Sequence, residues 1–207
     1  MAIRLRNKSK FRQPFDILTA ILFKIIQALT FLFVLAAIFM NPVAKTGIIN
    51  PKAEYMITVS WPDNDPNDID TYVEDPQGNI LDFTNKEVGL MHLDRDDRGN
   101  LNDTIVVEGK TIRNPLNQEV TTIRGIVPGE YVVNVHYYAT ENHKAVPVSV
   151  TVDKINPALE VVYYGTVTLQ KKDDEKTVVR FTINSDGTVG NVNHIPKSLV
   201  NKAFKHG

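Results

Sequence analysis

Two runs of carboxylates and amides carry the residue types best suited to chemistry in the C-terminal part of this chain. The first runs from Asp63 to Asp70 and continues to Asp75, and the second runs from Asp94 to Asn100. Ca²⁺ takes about six to eight oxygen ligands at about 2.3–2.6 Å, which clustered carboxylates in loops can supply. The sequence therefore predicts a calcium site, with candidate ligands Asp63, Asp65, Asp68, Asp70, Asp94 and Asp96.

The same residues have a second interpretation as turns. Asp and Asn side chains accept hydrogen bonds from their own backbone two residues on, and Asp-Pro and Asp-Arg-Gly strings are common in tight turns. The spacing also lacks the bidentate Glu that completes an EF-hand loop. Turn formation and metal binding thus both remain open for these two acidic runs.

A different carboxylate, Asp16, stands at the entrance to the apolar segment from Ile17 to Met40. As a helix this segment is about 36 Å long, which crosses a hydrocarbon core of about 30 Å with some tilt. Around that helix, Thr19, Gln27 and Thr30 lie within about 60° of Asp16 and form one polar stripe. A polar stripe on a spanning helix indicates that this face meets protein or water rather than lipid.

Lys24 lies about 80° from that stripe and about 12 Å further along the axis than Asp16, so the two cannot pair within one helix. A carboxylate on a partner helix would be a more favourable neighbour for its ammonium. In the simpler alternative, Asp16 is an interfacial residue and Gln27 joins two copies of the helix in a homodimer.

The segment from Pro14 to Leu22 (PFDILTAIL) resembles the start of the single helix in B subunits of ion-driven membrane motors. That superfamily contains the flagellar stator subunit and the subunits that energise the Tol system and outer-membrane transport. The resemblance covers residues 3–42 and implies that Asp16 takes up and releases the translocated ion, with Thr19 beside it. It also implies a polytopic channel subunit as partner.

The N-terminal charges favour a retained anchor over a cleaved signal peptide. Signal peptides have apolar regions of about 7–15 residues followed by a small-residue cleavage site, and Asn41 to Lys45 is a poor one. By the positive-inside rule, the tail before the helix stays in the cytoplasm, because it carries five cations, Arg4, Arg6, Lys8, Lys10 and Arg12. We therefore expect a bacterial inner-membrane protein whose C-terminal domain is periplasmic or extracellular.

The net charge differs between the two parts of the chain. It is +6 over residues 1–50 and −7 over residues 51–207, which together give the value of −1 for the whole chain. A cationic cytoplasmic tail suits anionic lipid headgroups, whereas an acidic exported part argues against nucleic-acid binding. The absence of cysteine excludes disulfides and thiolate metal sites.

Beyond the helix, runs of β-branched and aromatic residues separated by turn signals predict an all-β fold, an antiparallel β-sandwich following the single transmembrane helix. The predicted strands are Tyr55–Trp61, Asp70–Glu74, Asn79–Phe83, Asp103–Glu108, Glu119–Ile126, Glu130–Ala139, Val146–Val152, Leu159–Leu169 and Thr177–Asn184. The predicted divisions are a basic tail (1–15), a transmembrane helix (16–41), a linker (42–54), the sandwich (55–189) and a loose C-terminal tail (190–207) with a helical turn near Lys197–Phe204.

A second resemblance covers residues 57–139. Trp61, the pattern DIDxxVxDPxG over 68–78, LDxDxxG over 93–99 and PGEYxVxV over 128–135 are similar to a family of small bacterial β-sandwich domains of unassigned function. The resemblance supports the fold and implies no activity.

The sequence favours a protein that is not an enzyme. It contains no phosphate loop, nucleophile elbow or dinucleotide fingerprint, and the five histidines lack zinc-site spacing. We expect His136 to face solvent, because it alternates with Val133 and Val135 in its strand. Two functions remain: a stator-type B subunit of an ion-driven complex, or a membrane-anchored binding or assembly module with a passive tether helix.

Overall fold

The computed structural model describes residues 17–40, 53–101 and 103–203, with the side chains of the N-terminal helix from 17 to 36. The chain divides into two compact units, Met1–Ile49 and Asn50–Gly207. Asp16, the basic tail and almost all of the predicted linker lie outside the described residues.

The first unit contains helix α1 (Ile17–Met40), which matches the predicted apolar segment. The segment consists mainly of leucine, isoleucine, alanine and phenylalanine. Because no proline lies between Pro14 and Pro42, nothing in the sequence interrupts the helix. The stretch Ile17–Ala36 has a mean hydropathy of 2.3 and is long and apolar enough to cross a membrane. Its large apolar side chains are exposed, among them Phe33 at 75%. This is the surface that a helix presents to lipid or to a partner helix.

The second unit is an antiparallel β-sandwich, which confirms the predicted fold class. A six-stranded sheet has the order β11-β10-β1-β8-β5-β4, a five-stranded sheet has the order β13-β12-β9-β2-β3, and β6 and β7 form a separate hairpin. The strands are β1 (Tyr55–Trp61), β2 (Asp68–Glu74), β3 (Ile80–Leu81), β4 (Glu87–Val88), β5 (Met91–Arg95), β6 (Thr104–Val107), β7 (Lys110–Arg113), β8 (Asn117–Ile123), β9 (Gly129–Ala139), β10 (Val146–Lys154), β11 (Glu160–Leu169), β12 (Glu175–Ile183) and β13 (Val189–Asn193).

The main hydrophobic core lies between the two sheets. Strand β1 alternates buried and half-buried residues along its length, as expected for a strand with one face on the core. Across the sandwich, the Tyr55 ring lies 6.4 Å from Phe181, which stacks on Tyr131 at 5.6 Å. Burying such large rings removes much apolar area from water and is a major source of stability.

The prediction of a loose C-terminal tail is wrong for its described part. Strand β13 pairs with β12, and a short helix α2 (Val200–Ala203) follows at the position of the predicted helical turn. Residues 194–203, here called the C-terminal segment, pack on the outer face of the five-stranded sheet. Leu199 is fully buried there against Tyr72, Ile80 and Val132.

Polar contacts also hold the C-terminal segment. Lys197 and Lys202 both pair with the buried Glu74 carboxylate. Glu175 accepts hydrogen bonds from the Leu199 and Val200 backbone amides at 2.6 and 3.1 Å. Because two strands and the segment share these contacts, the segment is part of the folded domain.

Covering the outer face also overturns the prediction for His136. The residue is buried, with 5% of its surface exposed, and its neighbour Asn134 is fully buried. Asn134 donates to the Lys197 carbonyl at 2.7 Å and to Glu175 at 2.6 Å. The alternation along β9 is therefore real, but both faces of this central strand are covered.

Candidate metal centre

Carboxylates from three separate segments converge at one end of strand β2. Oxygens of Asp70, Asp96 and Glu119 all lie within 4.8 Å of one another. Two further acids, Asp68 and Asp97, border this triad. The charges of Asp70, Asp96 and Asp97 all act on Asp68. We call these five residues the acidic cluster.

The cluster forms where the two sheets meet along an open strand edge. Strand β3 pairs only with Val73 and Glu74, so β2 has no strand neighbour on that side from Asp68 to Thr71. Glu119, on β8 of the opposite sheet, accepts a hydrogen bond from the Thr71 backbone amide there at 2.7 Å. The Glu119 carboxylate thus pairs with a buried backbone amide that has no neighbouring strand to pair with.

Three of the five carboxylates share a pattern: one oxygen is held by protein donors and the other has no hydrogen-bond partner. In Glu119, Oε2 is held by Thr71 and Oε1 is free. In Asp96, Oδ2 binds Lys86 at 2.6 Å and Oδ1 is free. In Asp97, Oδ2 accepts from Arg95 at 2.7 Å and from the backbone amide of Gln118 at 3.2 Å, and Oδ1 is free.

Asp68 and Asp70 each contribute another buried, unpartnered oxygen, Oδ1 and Oδ2 respectively. Nδ1 of His136 lies 4.0 Å from Asp70 Oδ2, which is beyond hydrogen-bond distance. Buried carboxylates normally find a donor, because leaving one unpaired costs about 1–3 kcal/mol or more when it is charged. The acidic cluster is therefore a concentrated exception to the usual satisfaction of buried polar groups.

Burial is the main influence on the protonation of the cluster. It raises the pKa of Asp68 to about 7, with the charges of Asp70 and Asp96 adding to the effect. Burial also raises the pKa of Asp70, although the attraction of His136 opposes the change. The pKa of Glu119 lies well above its ordinary value, again because of burial and then the Asp70 charge. Without a counter-ion, the folded domain holds protons on these acids more tightly than the unfolded chain does.

Two tight loops place Asp96 and Asp97 beside β2. Gly99 has a φ of +64°, and a Cβ on it would lie 2.7 Å from the Pro66 carbonyl oxygen, so only glycine allows this approach. On the other loop, the fully buried Asn67 donates to Asn142 at 2.8 Å and accepts from Thr140 at 2.9 Å. The loop before β2 is thereby fixed from several directions.

Three of the six predicted calcium ligands, Asp68, Asp70 and Asp96, belong to the cluster, and three do not. Asp65 forms a turn instead, accepting from the Asn67 amide at 3.0 Å. Asp94 lies on β5 and binds Thr122 at 2.5 Å and Arg124 at 2.6 Å. Asp63 is exposed in the loop after β1. The turn interpretation thus holds for Asp65 and also for Asp75, which is buried and accepts from the Gln77 and Asn79 amides at 2.9 Å.

The sequence analysis missed Glu119 and Asp97. One signal could have found Glu119: it lies four residues before Ile123, so the two side chains share a face of β8. That face also carries Asn117 and Thr121, and all four residues are buried. A polar run on the core face of a strand is costly without partners, and so it marks a site.

The cluster has access to solvent through Asp96, whose side chain is 17% exposed. A cleft of about 580 Å³ adjoins it, lined by Asp96 and Asp97 on one side and by Ile105, Ile112 and other residues of the β6–β7 hairpin region on the other. The cleft reaches the solvent side of the acidic cluster at Asp96 and Asp97.

The predicted residues of the helix belong to the first unit. Lys24 donates to Gln27 at 3.3 Å, and the Thr30 hydroxyl donates to the Ile26 carbonyl at 2.8 Å. Thr19 is exposed on the same helix. Asp16, the predicted ion carrier, lies outside the described residues.

No protein-family model, curated protein or solved structure matches this chain.

Proposed function

We propose that this protein is a membrane-anchored binding module whose β-sandwich works outside the cytoplasm. The observation that carries the proposal is the pairing of two self-sufficient parts. Helix α1 is long and apolar enough to cross a membrane, and the sandwich buries its own core between two sheets. A tether joined to a domain with its own core is the arrangement expected of a protein that presents a binding surface at a membrane.

Charge supports the orientation. The five cations before α1 favour a cytoplasmic N-terminus, and the acidic composition after residue 50 suits an exported domain. A chain without cysteine is compatible with the bacterial periplasm, which is oxidising. The proposed location is accordingly the bacterial inner membrane, with the sandwich on its outer side.

Binding is favoured over catalysis by the architecture of the acidic cluster. Three of its carboxylates are held by backbone amides, Lys86 or Arg95, and the second oxygen of each has no hydrogen-bond partner. Such an arrangement positions ligands and contains no nucleophile with an adjacent base. We therefore propose that the sandwich recognises a ligand or an envelope partner and transforms neither.

Topology mapping tests the proposal. A reporter that works only in the cytoplasm should be active when fused after residue 5. A reporter that works only in the periplasm should be active when fused after residue 55. Full-length protein should stay in the membrane fraction after washing with carbonate. A variant in which Leu22, Leu29 and Leu32 are replaced by Arg should fail to insert and serves as the control. Release of residues 55–207 as a processed soluble product from normal cells would contradict the anchor.

A second candidate function is the B subunit of an ion-driven membrane complex. The observation favouring it is the polar stripe of Thr19, Gln27 and Thr30 on an otherwise apolar helix, with Asp16 before it in the sequence. In that case the helix would act as a homodimer within a polytopic channel subunit, and Asp16 would carry the ion. A passive tether does not require such a stripe.

Substitution of Asp16 distinguishes the two functions. If Asp16 carries the ion, Asp16→Asn should abolish function measured in the presence of the membrane partner, while membrane insertion is unchanged. Asp16→Glu should retain part of that function. Lys24→Leu should be tolerated unless the ammonium pairs with an acid of the partner. Full function of Asp16→Asn would leave only the anchored binding module.

A further inference from the structure

We propose that the acidic cluster is a Ca²⁺ site, with Asp70, Asp96 and Glu119 as its protein ligands. The inference does not depend on the membrane tether, because all three residues belong to the sandwich. An acidic cluster alone would not carry it. The decisive observation is that Glu119 and Asp70, exposed by only 1% and 2%, each have a buried oxygen without a hydrogen-bond partner, and that their carboxylates converge with that of Asp96.

The spacing of these oxygens fits one shared ion. Two ligands on opposite sides of Ca²⁺, each at about 2.3–2.6 Å, stand about 4.6–5.2 Å apart. One carboxylate oxygen from each residue of the triad lies within 4.8 Å of the other two, so one ion between them can bind all three. Each of the three carboxylates also has one buried oxygen without a hydrogen-bond partner, which is available to an ion.

Electrostatics requires either protons or a cation in this space. Two unit charges 4.8 Å apart repel by about 3.5 kcal/mol at an effective dielectric constant of about 20. Among the described residues, Nδ1 of His136 lies 4.0 Å from Asp70 Oδ2, and Lys86 and Arg95 each pair with one oxygen of Asp96 and Asp97. The charge of Arg98 acts on Asp68 and only partly offsets the neighbouring acids. A divalent ion neutralises the triad where these groups do not reach.

The donor set favours Ca²⁺ over the other common ions. All three ligands are carboxylates from separate segments of the chain, whereas Mg²⁺ usually keeps several waters and takes one or two carboxylates. Zn²⁺ prefers nitrogen and sulfur donors, and the single nearby imidazole is that of His136. Asp68 and Asp97 border the triad and add negative charge, which further raises affinity for a hard cation.

The ligand carboxylates are preorganised. Thr71 and Lys86 orient Glu119 and Asp96 through their second oxygens, and Gly99 allows the loop that carries Asp96 to approach β2. Outer contacts of this kind typically change metal affinity by about 10–100-fold when removed. A bound ion would connect β2 of one sheet with β8 of the other and with the loop after β5.

Calorimetric titration of CaCl₂ into the full-length protein in detergent, after removal of metals with a chelator, tests the proposal. We expect one Ca²⁺ per chain and a higher melting temperature in saturating Ca²⁺, because an ion that binds only the folded state stabilises it. Glu119→Gln and Asp70→Asn should each weaken binding by at least about tenfold. Near-ultraviolet circular dichroism checks that both variants are folded.

Asp94→Asn is the matched control. It removes one charge from the same acidic run, but its carboxylate binds Arg124 and Thr122 on the surface and should leave calcium binding unchanged. Absence of binding heat and of any thermal shift in wild-type protein up to millimolar Ca²⁺ would overturn the proposal. So would unchanged binding by both ligand variants, an equal loss in Asp94→Asn, or tighter binding of Mg²⁺ or Zn²⁺ than of Ca²⁺.

Discussion

Acidification should stabilise the calcium-free sandwich, which is the opposite of the usual behaviour of salt-bridged carboxylates. Burial raises the pKa of Asp68 from 3.8 to about 7, so the folded state binds a proton that the unfolded chain has already released. For an acid shifted upward, the stabilisation is complete below the unfolded pKa and is lost as the pH rises through the folded value. The relevant window therefore extends from about pH 4 to about pH 7.

The size of the effect follows from the shift. Each pKa unit corresponds to about 1.4 kcal/mol, and the folded acid is already about half ionised at pH 7, so Asp68 alone contributes about 2 kcal/mol between pH 5 and pH 7. For a domain of this size that corresponds to a fall in melting temperature of roughly 5–10 °C. Asp70 and Glu119, whose pKa values are also raised, act in the same direction.

The assay is thermal unfolding followed by circular dichroism in calcium-free buffer from pH 5 to pH 8. Glu74 and Glu175 do not interfere, because their pKa values are lowered and their contributions change below this range. Asp68→Asn should flatten the slope, while Asp94→Asn should retain it. A melting temperature that stays constant or rises with pH in wild-type protein would refute the argument from buried acids, and so would an unchanged slope in Asp68→Asn.

Three further predictions concern the fold around the site. Leu199→Ala should destabilise the sandwich by about 2–5 kcal/mol in denaturant unfolding, because it leaves a cavity under the C-terminal segment, whereas the exposed Ile195→Ala should change little. Glu74→Gln should remove two ion pairs and reduce the loss of stability below about pH 4.5, since burial raises the pKa of Glu74 but the two lysines lower it further; an unchanged acid transition would contradict this. Gly99→Ala should lower the free energy of unfolding by at least about 2 kcal/mol, through backbone strain and a clash with the Pro66 carbonyl. The loss should exceed that of Gly109→Ala, because Gly109 also has a positive φ but has open space around it.

Local sequence pattern was sufficient for the apolar helix and for much of the sheet. The predicted apolar segment Ile17–Met40 and the predicted limits of β1 agree with the structure, and β9, β10, β11 and β12 differ from their predicted limits by no more than two residues. These elements carry long apolar or alternating runs, so the side-chain period alone identifies them. Short or polar strands such as β4, β5 and β7 were missed, because pairing with a neighbouring strand holds them and their own sequence does not.

The tertiary structure decided which face of each strand is covered. Val133 and Val135 identified the core side of β9, but burial of Asn134 and His136 depends on the C-terminal segment, which lies about 60 residues later in the chain. Alternation reports the difference between two faces and carries no information about a distant segment that covers the second one.

The acidic cluster likewise could not be read from its two acidic runs. The sequence identified carboxylates suited to a hard cation, and three of the six candidates, Asp68, Asp70 and Asp96, are in the cluster. Asp94 and Asp96 are only two residues apart, but an irregularity in the pairing of β5 with β8 separates Leu93 from Arg95 in register, and the two carboxylates take different partners. Glu119 joins the cluster only because β8 of one sheet meets the open edge of β2 in the other, a long-range contact that the local sequence does not encode.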